Sequence, residues 1–381
     1  MAVPRGTRAD RLWGGVVSRR SARPLVAAVL TLLLLSPFWR GGLARADGAE
    51  RLPGTAVELR AVDTVAGTRV GAPARRSAQA ATFVVAYDAG FQANPSALAA
   101  FQRAVDIWAG QISSPVPIEV EAHWSALGPG VLGSAGFTYS VRNFPGAPQA
   151  GTFYPAPLAN KLAGIDLYPR QADIEASFSS TANWYFGTDG NTPPGQYDFV
   201  TVVLHELGHG LGFAGSGSIT SGVGYYGVGN PNAPFVWDRQ VVDGAGTPLL
   251  SLNSGTAALA LKLTSGSLYF SGSAANAANG GARPRLYAPT TWEEGSSYSH
   301  LDEATYPAGN PNSLMTPQLG NAEAIHDPGP IVRGMFADMG WTTGAPATPT
   351  PSPTPSPTPV PVPPAPVDGV RVAVPVALRS G

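Results

Sequence analysis

The chain has 381 residues, of which 44% are apolar, enough for a substantial hydrophobic core. It contains no cysteine, which excludes disulfides and thiolate metal sites, so any metal ion must be bound by histidine and carboxylate. The formal charge of -1 becomes -8 once the Arg-rich first 46 residues are set aside, and this acidic remainder argues against nucleic acid or an anionic membrane as the main partner.

The first 46 residues have the pattern of an export signal. An Arg-rich start precedes an apolar run over 24–38, which is too short to span a bilayer comfortably, and Ala44 and Ala46 form a small-x-small cleavage pattern. We therefore predict a signal peptide over 1–46 and a secreted, extracellular protein; an N-terminal membrane anchor is the alternative, disfavoured by Pro37. No other segment is apolar for long enough to cross a membrane, so no span is expected in the mature chain.

Composition divides the rest of the chain. Residues 47–80 are polar and weakly patterned, which favours either a short propeptide cut after the basic pair at 75–76 or a disordered leader. The catalytic domain is predicted over 81–343, followed by a Pro/Thr-rich, extended linker over 344–366. The tail, 367–381, is too short for a domain; it is interpreted as a cell-surface sorting or docking strand, with a frayed terminus as the alternative.

The first regular element is predicted at Thr82–Asp88, a strand. Asn94 then resembles an N-cap with Pro95 at the first helical position, and apolar residues follow at spacings of three and four up to Ile112, which predicts a helix packed on a core. Further strands are predicted at 116–122, 131–139, 163–168 and 173–178. This order of a strand, a helix and several strands favours an α+β domain with one mixed sheet.

A second helix is predicted within 196–213, where Asp198 is placed to cap it and glycines end it. The stretch 219–299 is rich in Gly, Ala, Ser and Asn and is a long insertion whose fold the sequence does not predict. A short helix is expected at 331–339, stopping at Gly340.

The second helix carries a histidine pair with a glutamate between its members. His205 and His209 are spaced i and i+4, so both imidazoles can face one ion, while Glu206 can reach a water beside it. This pattern predicts a catalytic Zn²⁺ ion, with Glu206 as general base. The alternative is a core helix that carries two histidines by chance, but the chain has only five histidines, which makes a chance match rare.

With Gly212 added, this motif resembles that of the metzincin clan of zinc metalloproteases, in which a third histidine normally follows closely. That position is Gly215 here, which cannot bind metal. Leishmanolysin-type members supply the third histidine from far downstream, before a methionine turn. The resemblance therefore implies His300 as the third ligand and Met315 as the methionine beneath the metal.

The third ligand has two alternatives. Asp302 and His326 are the alternatives to His300, because a carboxylate can also complete such a site. The lack of cysteine departs from leishmanolysin itself.

The resemblance also concerns the substrate cleft. By resemblance, the strand at 173–178 borders the substrate cleft, and an internal strand is the alternative. A structural Ca²⁺ could involve Asp166, Asp189 and Asp198, but their spacing fits no known loop and no motif supports it.

The resemblance implies a metzincin-like zinc metalloprotease domain with a mixed sheet, an active-site helix, a methionine turn and the long insertion. The expected function is a secreted zinc-dependent endopeptidase acting on protein or peptide substrates. A secreted binding or adhesion protein that keeps the zinc site without proteolysis is the second hypothesis. A metallohydrolase acting on something other than peptides is the third.

Overall fold

The structure is a computed structural model that describes residues 49–74 and 80–344. The predicted signal peptide, the basic pair at 75–76, the tail and all but the first residue of the predicted linker lie outside the described residues. Among the described residues, no helix is both long and apolar enough to cross a membrane.

The strands are short except for those of one large sheet. In chain order they are β1 (Glu50–Val65), β2 (Arg69–Val70), β3 (Phe83–Tyr87), β4 (Ile112–Ser113), β5 (Ile118–Ser125), β6 (Val131–Arg142), β7 (Tyr154–Pro155), β8 (Ile174–Ser179), β9 (Trp184–Tyr185), β10 (Tyr197–Asp198), β11 (Ser218–Thr220), β12 (Val223–Tyr225), β13 (Val241–Asp243), β14 (Leu268–Phe270), β15 (Arg285–Leu286), β16 (Gln318–Asn321), β17 (Ala324–Ile325) and β18 (Thr342–Thr343).

The α-helices are α1 (Ala89–Gln92), α2 (Pro95–Ala109), α3 (Ala156–Ala163), α4 (Phe199–Gly210), α5 (Ala257–Leu263), α6 (Ser273–Ala278) and α7 (Gly329–Met339). Short 3-10 helices lie at Asp238–Gln240, Leu249–Ser251 and Ser313–Met315.

The large sheet has the strand order β16-β1-β6-β8-β5-β3, with β7 paired to β6. Strands β3, β5 and β8 run parallel, β6 is antiparallel to both of its long neighbours β8 and β1, and β1 is parallel to β16. The predicted α+β class with a mixed sheet is therefore confirmed at this level.

The first strand and the first long helix follow the sequence closely. The predicted strand at 82–88 is β3, and α2 begins at Pro95 with the Asn94 side chain accepting a hydrogen bond from the Ala97 N–H at 3.1 Å. Because Phe101 and Trp108 of α2 are fully buried, the predicted apolar stripe is the core-facing side of this helix.

Three expectations are corrected. Residues 163–168 are not a strand, because α3 extends to Ala163 and ends at Gly164, which has a left-handed conformation with φ of 70°. The strand at 173–178 is β8, which lies between β5 and β6 inside the sheet, so it has no free edge to border a cleft. Regular structure begins at Glu50 in β1, well before the predicted first strand.

The core lies between the sheet and the helices α2 and α4. The Trp108 indole donates a hydrogen bond to the Leu204 carbonyl at 2.8 Å, which joins the two helices. At the start of α4, Phe199 is fully buried in contact with the rings of Phe91 and Trp124, among others. The helix that carries the histidine pair is thus fixed at its beginning by aromatic packing.

The Gly- and Ser-rich stretch 219–299 forms small elements of its own. Strands β13, β14 and β15 make a three-stranded antiparallel sheet, and α6 packs against α7. The Asp338 carboxylate of α7 accepts hydrogen bonds from the N–H groups of Ala274 and Ala275 at 2.9 Å each, at the first turn of α6. These hydrogen bonds fix α6 of the insertion to α7.

Candidate metal centre

Helix α4 places two histidines one turn apart in the interior. The Asp198 side chain accepts a hydrogen bond from the Thr201 N–H at 2.8 Å and so caps the helix, as the sequence predicts. The helix ends at Gly210, and Gly212 follows with φ of 116°, a conformation that favours glycine. Every residue of α4 is buried.

Three histidines meet at one point. The Nε2 atom of His209 lies 2.9 Å from Nε2 of His205 and 3.2 Å from Nε2 of His300, and the remaining Nε2 pair, between His205 and His300, is 3.2 Å apart. All three side chains are fully buried. These residues form a group that could hold a metal ion, as the sequence predicts for the pair and the family resemblance implies for His300.

The opposite nitrogen of each ring faces a backbone carbonyl. Nδ1 of His205 lies 2.5 Å from the Leu314 oxygen, Nδ1 of His209 lies 2.7 Å from the Phe213 oxygen, and Nδ1 of His300 lies 2.7 Å from the Ser296 oxygen. Because a carbonyl only accepts, each Nδ1 must carry the hydrogen. In the neutral ring this leaves the Nε2 lone pair facing the other two histidines, the arrangement of metal-binding imidazoles.

Burial keeps these rings neutral. It lowers the pKa of His205 and of His209 well below the usual value, with the neighbouring histidines adding to the effect, and it lowers the pKa of His300 to about 4. Three neutral Nε2 acceptors cannot donate hydrogen bonds to one another. A cation between them would satisfy all three lone pairs.

Glu206 is fully buried; the backbone N–H groups of Leu59 and Ala135 lie near its carboxylate, but neither oxygen makes a hydrogen bond of normal geometry. Burial raises its pKa well above the ordinary value, while the backbone of Leu59 and Ala135 opposes that rise. The side chain lies under β6 at Gly133, where an added Cβ would be only 2.7 Å from the Glu206 Cγ. Burying a carboxylate without well-formed hydrogen bonds costs folding free energy, which points to a function for Glu206 rather than to packing.

Gly215 packs against the segment that leads into His300. A Cβ at this position would lie 2.1 Å from the ring of Tyr298, and the Gly215 N–H donates to Ser299 Oγ at 3.1 Å. The space beside residue 215 is therefore filled by the segment that leads into His300.

A buried carboxylate fixes the same loop. Asp238 accepts hydrogen bonds from the Tyr298 hydroxyl at 3.0 Å, from the Phe235 N–H at 2.7 Å, and from both the N–H at 2.9 Å and the hydroxyl of Ser216. Burial raises the pKa values of both Asp238 and Tyr298. This network joins the chain just after α4 to the chain just before His300.

The segment around Met315 lies directly against α4. The Sδ atom of Met315 would be 2.8 Å from a Cβ added at Gly208, and the Met315 carbonyl accepts from the Leu301 N–H at 2.8 Å. The Leu314 carbonyl accepts a hydrogen bond from Nδ1 of His205, so this turn contacts both histidine-bearing segments.

The alternatives to His300 are elsewhere. His326 Nε2 lies 2.8 Å from Asp198 Oδ1 at the start of α4, and the Asp302 side chain accepts from the Thr305 N–H and hydroxyl. Neither joins the histidine group.

Two of the residues considered for calcium have other contacts. Asp198 is the cap of α4, and Asp189 accepts a hydrogen bond from the Tyr185 hydroxyl at 2.7 Å.

Sequence reasoning missed Asp238, Tyr298 and Gly133. Each acts through a contact between segments far apart in the chain, and none stands in a recognisable motif. For Tyr298 one signal was available: Gly215 has no side chain, and a residue without one allows another segment to approach closely.

Comparison with known proteins gives one limited similarity. A family model described as SPBPB7E8-like matches residues 146–226, about a fifth of the chain, a range that contains His205, Glu206 and His209 but not His300. No match was found among curated proteins or among solved structures.

Proposed function

We propose that this protein is a secreted zinc-dependent endopeptidase. The observation that carries the proposal is the pairing of three converging, neutral imidazoles with a fully buried carboxylate that makes no hydrogen bond of normal geometry. A metalloprotease needs these two components: a metal site that leaves a position open, and a base beside it.

The donor set fits zinc. Tetrahedral zinc with Zn–N distances of 2.0–2.1 Å places its nitrogens about 3.3 Å apart. The three Nε2 separations of 2.9–3.2 Å are close to that edge. Among the described residues, no fourth histidine or carboxylate belongs to the group, whereas structural zinc sites use four protein ligands. This supports a catalytic ion over a structural one.

The chain's own residues have distinct roles in peptide hydrolysis. His205, His209 and His300 would hold the ion, and a zinc ion there supplies Lewis-acid activation of water and of the scissile carbonyl. Glu206 accepts the proton from the attacking water and delivers it to the leaving amine. Its position supports this role, because Glu206 adjoins His205 on α4 and is held out of bulk water beside the histidine group.

The arrangement supports a metzincin-like domain. A mixed sheet lies over the histidine helix, and the turn that contains Met315 packs against the helix from another side. The second hypothesis, a secreted adhesion protein that retains a zinc site, gives no role to the buried carboxylate of Glu206 beside the histidine group. Export through the predicted signal and surface attachment through the tail are parts of the proposal that rest on sequence alone.

The test compares the purified, exported protein with Glu206→Gln, which keeps the side chain's shape but removes the base. We expect one zinc per chain in both proteins and cleavage of an unfolded protein such as casein only in the parent. Glu121→Gln, at an exposed position on β5, is the matched control and should behave like the parent. Zinc in every protein without cleavage in any would favour the adhesion hypothesis, and no zinc would refute the metal assignment.

A further inference from the structure

A strand from the start of the described chain, β1, lies beside Glu206 of the metal centre. The three histidines and Glu206 are fully buried, although a hydrolase must admit water and substrate. The backbone beside Glu206 belongs to β6 at Ala135 and to β1 at Leu59. Leu59 is paired with Gly133, the residue under which the Glu206 side chain lies.

Strand β1 makes backbone contacts on both of its edges. On one side it is antiparallel to β6, with paired residues from Glu50 opposite Arg142 to Arg60 opposite Val131. On the other side it is parallel to β16, beginning with Arg60 opposite Gln318. The strand order of the sheet therefore places β1 between β6 and the segment that follows the Met315 turn.

Beside the metal centre, β1 makes backbone contacts on both of its edges at once. The Glu58 N–H donates to the Gly295 carbonyl at 3.0 Å, and the Arg60 N–H donates to the Pro317 carbonyl at 3.2 Å. Gly295 precedes His300 by five residues, and Pro317 follows Met315 by two. The register with β6 also shifts between Leu59 and Arg60. Leu59 thus spans the gap between the sheet and the loops that hold His300 and Met315.

These contacts are those that an extended peptide would make. Main-chain hydrogen bonds to a strand edge bind a peptide regardless of its sequence, and buried alternate side chains add selectivity. In β1 the alternate residues Val57 and Leu59 are buried, with 3% and 2% of their surface exposed. A site that accepts aliphatic side chains at these two positions fits this strand.

We infer that β1 occupies the peptide-binding cleft of this protein and slows the entry of substrate, so that the parent cleaves slowly, and that β6 and β16 bind an aliphatic, extended peptide when β1 leaves. The inference rests on the proposed function and specifies its substrate class and its regulation. Because β1 is tethered to the domain, its effective concentration at the cleft is high, and a free peptide competes poorly until the strand is displaced.

One glycine allows β1 to be loosened by a substitution in β1 itself. A Cβ added at Gly54 would lie 1.5 Å from the Phe137 carbonyl oxygen of β6, so a side chain there forces the strands apart. Gly71 has no atom within 4 Å of an added Cβ and no positive φ. Gly54→Val and Gly71→Val are therefore a matched pair in the same N-terminal segment.

The experiment uses the full-length, zinc-loaded protein in three forms: the parent, Gly54→Val and Gly71→Val. We would measure amide hydrogen exchange over 50–65, the rate of zinc release to a chelator, and cleavage of an aliphatic peptide. We expect Gly54→Val to raise each rate by about tenfold or more, which corresponds to about 1.4 kcal/mol of lost docking energy. Gly71→Val should match the parent.

The synthetic peptide of residues 50–65 gives a second arm. It should inhibit cleavage by Gly54→Val, and the same peptide with valine at its Gly54 position should not. If Gly54→Val fails to fold, Glu50→Gln replaces it, because Glu50 accepts hydrogen bonds from the buried Arg142 guanidinium of β6; Glu121→Gln is then the control.

The outcomes separate this inference from the proposed function. Faster exchange over 50–65 without faster zinc release would overturn the inference, since β1 would then move without opening the centre. Unchanged exchange in Gly54→Val would also overturn it, because the close contact with β6 would not control docking. Faster exchange and zinc release without peptide cleavage would support β1 as the cover while counting against the endopeptidase. Absence of zinc from the parent would refute the proposed function itself.

Discussion

The metal centre is built from two regions that are held in different ways. His205 and His209 share one helix, whose first residues are fixed by the Asp198 cap and by aromatic packing around Phe199. His300 lies in a segment without regular structure, and its position depends on contacts with Asp238, with the chain at Gly215 and with the Met315 turn. Damage to the helix should therefore lower global stability, whereas damage to the loop should lower metal affinity selectively.

Loss of a ligand should have the largest effect in either region. We expect His209→Ala and His300→Ala each to weaken zinc binding by more than about 100-fold, the upper range for loss of an outer-shell partner. Alanine favours helix, so α4 should stay protected from hydrogen exchange in His209→Ala, while the segment before residue 300 should exchange faster in His300→Ala.

Zinc titration and hydrogen exchange measure these two effects. His326→Ala is the control, because His326 contacts Asp198 rather than the histidine group and should retain zinc. Stoichiometric zinc and full activity in His300→Ala would remove His300 from the ligand set.

Gly215→Ala perturbs the loop region without replacing a metal ligand. Its Cβ would lie 2.1 Å from the Tyr298 ring, so the segment leading to His300 must shift. We expect zinc affinity to fall by about 10- to 100-fold, the range typical of outer-shell changes. In the control Gly128→Ala, the nearest atom to the added Cβ is 3.7 Å away, and affinity should be unchanged. Equal affinities in the two variants would show that the loop is not fixed through residue 215.

Asp198→Ala tests the helix region. It removes the cap of α4 together with the partner of His326, so the free energy of unfolding of the metal-free protein should fall by about 2 kcal/mol, the upper range for a cap. Chemical denaturation measures this change. Asn94→Ala removes the cap of α2 and should cost about 1 kcal/mol. A larger loss of zinc affinity in Asp198→Ala than in Gly215→Ala would reverse the comparison between the two regions.

A pH-dependent effect on stability belongs to neither region, so the variants of both regions must be compared with the parent at the same pH. Burial raises the pKa of Asp173 from 3.8 to about 7, so the folded state binds a proton that the unfolded state has released in this range. The contribution of Asp173 to stability is therefore greatest below pH 4 and is lost as the pH rises to about 7.

Denaturation of the metal-free protein between pH 4 and pH 8 measures this slope. In Asp173→Asn the contribution of this group should vanish, whatever the change in absolute stability. An identical slope in parent and variant would show that Asp173 titrates at its ordinary pKa in the folded protein.

The comparison of the two regions also explains how much of the site could be predicted. The helix α2 and the histidine helix were predictable, because caps such as Asn94 and Asp198 and apolar spacing act over a few residues. The placement of residues 163–168 failed because Gly164 ends a helix that the local alternation did not show. The cleft strand was misassigned because the order of strands in a sheet is set by pairing between distant segments.

The sequence by itself determined the chemistry on α4. An i, i+4 spacing places His205 and His209 on one face wherever that helix lies, and the absence of cysteine restricts the other ligands to histidine and carboxylate. Only the tertiary structure brought His300 within 3.2 Å of both histidines and placed Glu206 under β1 and β6. The physical reason is range: helix geometry follows from neighbouring residues, whereas the position of His300 and the covering of Glu206 by Leu59 depend on contacts across more than ninety residues of chain.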